Sequence, residues 1–243
     1  MTQLSDNRQV AHEYLFHRIQ DMKKALIQSL KITALVTMVL PVAFFFSEPR
    51  LASAIEDQFT VTQVVTSEIS FLTNANDVTM NGTLTGLTGG TSTGLTQVRV
   101  LTNDSSGYTM TIKASSSPAM QGNTQGGSIA DYTPTTSSVP DFAYSVPSNY
   151  EFGYTVSAST TSDLAQKFLD NGSACNTGSA DTSASASCWY GLSTTATSTV
   201  VRATATPSSG ATTTIFFQLK INSGSNVPED TYVATTTLTV TTN

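Results

Sequence analysis

Histidine is almost absent from this sequence. The 243 residues contain two, His12 and His17, both among the first twenty. Everything downstream lacks an imidazole, which excludes Ser-His-Asp and Cys-His nucleophilic machinery there. Charge is scarce as well: Asp, Glu, Lys and Arg make up 12% of the chain, about half the ~25% of an ordinary globular protein. There are 11 basic and 17 acidic side chains, for a net charge of −6. Without clustered Lys and Arg to neutralise phosphates, a nucleic-acid partner is excluded. Neither a Gly-x-x-x-x-Gly-Lys loop nor a Gly-x-Gly-x-x-Gly turn after a strand occurs, so no phosphate cradle and no cofactor are expected. No second apolar segment follows the one near residue 40.

That segment, residues 32–46, is uncharged and mostly apolar, KITALVTMVLPVAFFF after its leading lysine. It falls short of the ~20 residues of a spanning helix, and Pro41 interrupts it. Lys23, Lys24 and Lys31 precede it, and Ala52-Ser53-Ala54 follows. A basic region, an apolar region and a small-x-small site make a secretory signal peptide. Residues 1–54 are thus expected to be a leader containing a signal-peptide helix. Cleavage is expected after Ala54, in the site formed by Ala52, Ala54 and Ile55. Met22-Lys23-Lys24 reads as the usual beginning of such a signal, so translation from Met22 or an extended leader are both open. An uncleaved signal anchor is the alternative, and it would be the only membrane contact.

From Ile55 onward the chain is a different material. It keeps five basic residues (Arg99, Lys113, Lys167, Arg202 and Lys220) and thirteen acidic ones, for a net charge of −8, and no histidine. Ser and Thr make up about a third of it, far above ordinary usage. Threonine is β-branched and hydrates a strand face without adding charge; a Thr-rich disordered stalk is the competing reading. Periodicity decides for strands. Tyr108, Met110, Ile112 and Ala114 alternate with Thr109, Thr111 and Lys113. Phe152, Tyr154, Val156 and Ala158 do the same against Gly153, Thr155 and Ser157, and Ile215, Phe217, Leu219 and Ile221 against Phe216, Gln218 and Lys220. Residues 232–240 repeat it, with shorter versions at Ile69 and Phe71, at Val98 and Val100, and at Phe59, Val61 and Val65. Strict alternation marks half-buried strands with one wet face. Turn clusters such as Asn81-Gly82, Asn103-Asp104-Ser105-Ser106-Gly107 and Pro207-Ser208-Ser209-Gly210 separate them. The expected fold is all-β: a single antiparallel β-sandwich domain over residues 55–243, Ig-like or jelly-roll-like. One short helix is expected at residues 162–170. Residues 118–147 read as a long loop with a short strand at 142–145, and residues 174–187 as a second loop.

Cys175 and Cys188 are the only cysteines, and twelve mostly small residues lie between them. With no histidine to complete a zinc site or serve as a base, a disulfide is the expected use, which implies an oxidising compartment. The thirteen carboxylates are mostly single and in turns. Asn74-Ala75-Asn76-Asp77 and Asn103-Asp104-Ser105 offer oxygen atoms for Ca²⁺ without the spacing of an EF-hand, and no metal site is expected. Lys113 and Lys220, the candidates for a Lys–Asn isopeptide bond, point outward by alternation. Trp189, Tyr190, Tyr144, Tyr150 and Phe216 suggest either a sugar platform or ordinary core packing. Asn81, Asn103 and Asn171 head glycosylation sequons.

Two strand segments carry a resemblance. Residues 97–103, QVRVLTN, followed by residues 107–112, GYTMTI, resemble the "tN…tGYtl.i" strand pair of exported bacterial β-sandwich surface proteins. Residues 227–240, VPEDTYVATTTLTV, resemble their closing "P.G.Y...lt.t" strand, with Glu229-Asp230 where that pattern has glycine. Such endings occur in WxL-type cell-wall-binding domains, in spore-coat-U-like and fimbrial-subunit-like proteins, and in Thr-rich secreted proteins of candidate-phylum bacteria. The last are nearest in texture, since this chain has no Trp-x-Leu. The resemblance implies an exported surface or filament protein with no activity of its own. The expectation is a cell-surface structural protein, the subunit of a layer, fibre or pilus-like assembly made by strand-edge contacts. Phe59, Val61 and Val65 mark its candidate donor or edge strand. Self-association or other surface proteins are its expected partners, with surface glycans as a further option. A monomeric adhesin or carbohydrate-binding module is the alternative, and a carboxylate-dependent secreted glycoside hydrolase a more distant one.

Overall fold

The alternation of apolar and hydroxyl-bearing side chains is realised as strands. A computed structural model of the chain describes residues 18–29, 31, 57–147, 149–181 and 187–243. It divides into two units, Met1–Gln63 and Val64–Asn243. In the first, residues 18–29 and 31 are helical and residues 57–63 are neither helix nor strand. The apolar run at 32–46 and the cleavage site at Ala52, Ala54 and Ile55 lie outside the described residues. Among those described, no helix is long and apolar enough to cross a membrane.

The second unit contains the strands β1 (Ile69–Thr73), β2 (Gly90–Thr102), β3 (Tyr108–Ala114), β4 (Met120–Gly122), β5 (Ser128–Asp131), β6 (Tyr150–Ala158), β7 (Tyr190–Gly191), β8 (Thr197–Arg202), β9 (Ala211–Ile221), β10 (Tyr232–Ala234) and β11 (Thr236–Thr242). They form two sheets. The larger has the order β1-β2-β9-β6-β5-β4-β10, with β7 also paired to β6, and the smaller has the order β11-β3-β8. The expectation of an all-β, sandwich-like fold is met; that of a wholly antiparallel one is corrected. Ala130 and Asp131 of β5 pair in parallel with Glu151 and Phe152 of β6. Residues 132–149 carry the chain back to the starting end between those strands, the long crossover that a parallel pair requires.

Inward-facing residues of both sheets make the core. Val98, Val100 and Ala211 of the large sheet meet Tyr108, Met110 and Val200 of the small one. A larger cluster joins Ile112 and Ala114 to Phe152, Tyr154, Val156, Ile215 and Phe217. The period of two predicts which side chains point in along β9, where every second residue from Ala211 to Ile221 is buried.

Three local expectations are corrected. The alternation at 232–240 is one pattern but two strands: Tyr232–Ala234 pairs with β4 in the large sheet, and Thr236–Thr242 with β3 in the small sheet. A single antiparallel ribbon, β3–β4 against β10–β11, thus bends from one sheet to the other. The helix expected at 162–170 is two 3₁₀ turns, Thr161–Asp163 and Gln166–Phe168, because Leu164 between them is extended and bridges to Val200. The loop at 118–147 contains β4 and β5, whereas the expected strand at 142–145 reduces to an isolated bridge between Asp141 and Trp189.

The outer face of β6 is also drier than alternation implies. Gly153 and Thr155 are buried there. Tyr132 passes so close that a Cβ on Gly153 would lie 2.8 Å from the Tyr132 Cβ, which makes glycine necessary at this crossing. The Thr155 hydroxyl donates to the Ser187 carbonyl at 2.5 Å.

Candidate functional site

The gap between the two sheets is treated differently on its two sides. Beyond β8, the excursion between β6 and β8 fills it. Leu164, Phe168 and Leu192 join the main core there, and Phe168 sits 5.8 Å from Tyr154, ring centroid to centroid. The Cys175–Cys188 disulfide, with a Cα–Cα separation of 5.5 Å, ties this excursion together. Both cysteines are buried. The expected bond is therefore present, and its chemistry fits an oxidising environment. Arg202 and Asp163 add an ion pair at 2.5 Å, with side chains 12% and 11% exposed.

On the other side, beyond β11, the closure is only partial: Ile69 and Phe71 of β1 pack against the same cluster as Leu238 and Val240. β11 bonds to β3 along one edge, and among the described residues its other edge pairs with no strand. Leu238 and Val240 point inward but are only half-buried. An open cavity of about 1230 Å³ lies here, floored by Phe152, Ile215, Phe217, Leu219 and Ile221 of the large sheet and walled by Thr236 and Leu238 of β11. The inward residues of β2 explain part of its volume. Where the small sheet covers β2 they are Val98 and Val100; toward the cavity they are Ser92 and Thr96.

A segment after β1 forms the far wall. Asn81 exchanges backbone hydrogen bonds with Thr93 at 2.7 and 2.8 Å, and the Asn76 amide donates to the Thr96 hydroxyl at 2.9 Å. Val78 and Met80 pack toward the core beside Gly94, where an added Cβ would lie 2.4 Å from Val78. The open part of the edge of β2 is thereby covered, while that of β11 is not. Asp77, Glu229 and Asp230 stand at the mouth. Desolvation opposes ionisation of Asp230, but backbone N–H bonds from Thr124, Gln125 and Thr231 outweigh it and hold the carboxyl below its ordinary range. This anchors the loop that leads into β10.

Phe59, Val61 and Val65 are 83%, 82% and 81% exposed, with Val64 at 74%. Their backbone is in no sheet. Thr66 and Glu68 are fixed by Asn103, whose side chain donates to the Thr66 carbonyl and accepts from the Glu68 amide. Of the sequon asparagines, Asn103 therefore spends its amide on this junction.

The other sequence candidates assemble differently. Trp189 is 2% exposed. Tyr144 stacks on Tyr132 at 4.6 Å and meets Trp189 edge-on at 4.9 Å, and Phe216 packs against the same cluster. These rings are packing, on the outer face of the large sheet, and Trp189 has no face left for a sugar. Tyr190 lies under the Lys167 ammonium, 4.5 Å from its ring centroid. Tyr150 packs separately against the main core. Asp141 and Glu151 lie beneath the same loop as the ring cluster, and Asp141 accepts from the Tyr132 hydroxyl at 2.8 Å. Burial raises the Glu151 carboxyl above its ordinary range, opposed by the hydrogen bond from the Thr133 amide and aided by the Asp141 charge. Neither lines the cavity. Lys113 is exposed, and Lys220 is on the outer face of β9. Among the described residues no group of three potential metal ligands occurs.

The cavity escaped sequence reasoning because it is built from segments far apart in the chain. Its one local signal was the run of small residues at 90–94 inside a strand pattern. Comparison of the chain with protein-family models, curated proteins and solved structures finds no match.

Proposed function

We propose that this protein is an exported structural protein of the cell surface, the subunit of a layer, fibre or pilus-like assembly built by β-strand-edge contacts. The observation that carries the reading is the unpaired edge of β11 beside an open cavity with an apolar floor and a polar rim. A strand edge presents unsatisfied N–H and C=O groups in a row, and monomeric proteins ordinarily cover, shorten or charge such edges. Here the row is seven residues long, Thr-rich and uncharged. Surface clefts floored by apolar side chains with polar groups at the rim are the usual form of a binding site. Cysteine pairing, the hydroxyl-covered strands and the signal-like leader support export.

Size-exclusion chromatography and negative-stain electron microscopy of the purified protein test this. Concentration-dependent high-mass species or fibres are expected. A monodisperse monomer at high concentration would refute the reading and would favour the monomeric adhesin.

A further inference from the structure

We propose that the cavity beyond β11 binds one molecule of a single-chain amphiphile with a cationic head. The alkyl chain lies along the inward face of β9, and the head stays at the mouth with Asp77 and Glu229. This goes beyond the assembly reading, because it needs one copy of the chain only.

Three features select this occupant. The first is the shape of the floor. Ile215, Phe217, Leu219 and Ile221 are alternate residues of one strand, and all line the cavity. At the rise of an antiparallel strand this apolar row is about 20 Å long. On the β2 side it is bordered by the hydroxyl residues Thr96 and Ser92, paired with Ile215 and Leu219; on the β6 side Phe152 pairs with Leu219. A long, narrow apolar row is covered by a linear chain, whereas a compact ring system leaves much of it bare. The second feature is the sign of the charge. No Lys, Arg or His is among the described residues that line the cavity. The Asp230 carboxylate is engaged by the backbone N–H groups of Thr124, Gln125 and Thr231. Asp77 and Glu229 are exposed and line the cavity, so theirs are the charges a ligand meets. They repel a carboxylate or phosphate head and attract a cation. The third feature is the rim. Leu87 and Val233, both lining the cavity, are 66% and 52% exposed. Apolar surface thus continues from the floor to where a chain enters. The floor lies between two sheets, out of reach of a bilayer surface, and the acids at the mouth disfavour an anionic membrane. The occupant is a free amphiphile.

Calorimetric titration of the purified protein with dodecyltrimethylammonium, below its micelle concentration, tests the inference. Saturation at one ligand per chain is expected. Octyltrimethylammonium, with a shorter chain to bury, should bind about thirtyfold more weakly. Dodecanoate, with the opposite head charge, should bind about tenfold more weakly. The double variant Asp77→Asn, Glu229→Gln should weaken dodecyltrimethylammonium about fivefold through the loss of two exposed charges. Glu68→Gln removes an exposed acid that does not line the cavity and should leave binding unchanged. Thr236→Trp, at an exposed position of the cavity wall, should block uptake; a melting temperature equal to that of the wild type shows that each variant folds. Absence of saturable binding, several ligands per chain, dodecanoate binding as tightly as the cation, or Glu68→Gln losing as much as the double variant would each overturn the inference. A monomer that takes up one ligand supports it while removing the assembly reading; fibres that take up none do the reverse.

Discussion

Replacing Arg202 by Met tests how the excursion between β6 and β8 is held. The Arg202 guanidinium meets the Asp163 carboxylate at 2.5 Å, and both side chains are nearly buried. It also donates to the carbonyls of Thr204 and Ala205 at 3.0 Å each. Methionine keeps much of the length of the stem but removes the charge and all of these donors. Asp163 then loses its partner in a site with little access to water. Breaking one partner out of a buried pair costs about 3–5 kcal/mol, mostly because of the stranded charge. That is a large part of the 5–15 kcal/mol by which a domain is typically stable. At roughly 2–4 °C per kcal/mol for a domain of this length, the melting temperature should fall by about 6–20 °C. Urea unfolding of the wild type, Arg202→Met, Asp163→Leu and the double variant measures this directly. The double variant should recover most of the loss, because an apolar pair leaves no charge behind. A loss below about 1 kcal/mol in Arg202→Met, or a double variant no more stable than the single one, would show that the pair behaves as an exposed salt bridge and that burial is not the governing term.

Three further outcomes follow from the same structure. Cys188→Ser should lower stability by roughly 3 kcal/mol through loss of the closed loop, and the unreduced wild type should show no reactive thiol by mass-based labelling. The Tyr154 hydroxyl is fully buried and makes no hydrogen bond of good geometry. Burial raises its pKa, with the nearby Thr197 opposing and Tyr190 adding to the rise. Tyr154→Phe should therefore be neutral or stabilising by up to ~1 kcal/mol in urea unfolding, since a neglected polar group is expensive to bury. Burial also raises the carboxyl of Asp131, against the opposing bond from the Ala119 amide. Its stabilising contribution is thus complete below the ordinary Asp pKa and is lost as pH rises through the higher folded value. Stability of Asp131→Asn relative to the wild type should improve from acid to neutral pH, and an unchanged difference across that range would contradict the assignment.

Which residues face inward was legible from the period of two, and the architecture was not. Tyr108 to Ala114 and Ile215 to Ile221 could be placed residue by residue, because a strand half in water writes its environment into alternate positions. The switch of sheets at Thr235 left no mark, since the alternation runs through it unbroken. The outer face of β6 misled for a related reason: Gly153 and Thr155 look like solvent residues but are covered by Tyr132 and Ser187 from other parts of the chain. The helix expected at 162–170 gave way to Leu164 bridging Val200 and Asp163 pairing with Arg202, two tertiary contacts stronger than the propensity of nine residues.

The sequence by itself determined the material: hydroxyl-rich, charge-poor strands without histidine, and two cysteines with no partner but each other. Those are properties of composition and short-range spacing, and they restrict the chemistry before any fold exists. Only the tertiary structure decided where that material is incomplete. Whether a strand edge is paired, and whether the small residues of β2 are filled or face a cavity, depends on elements more than a hundred residues apart along the chain. The outer edge of β11 is open not because of what Thr236–Thr242 are, but because no other strand of the described fold pairs with them.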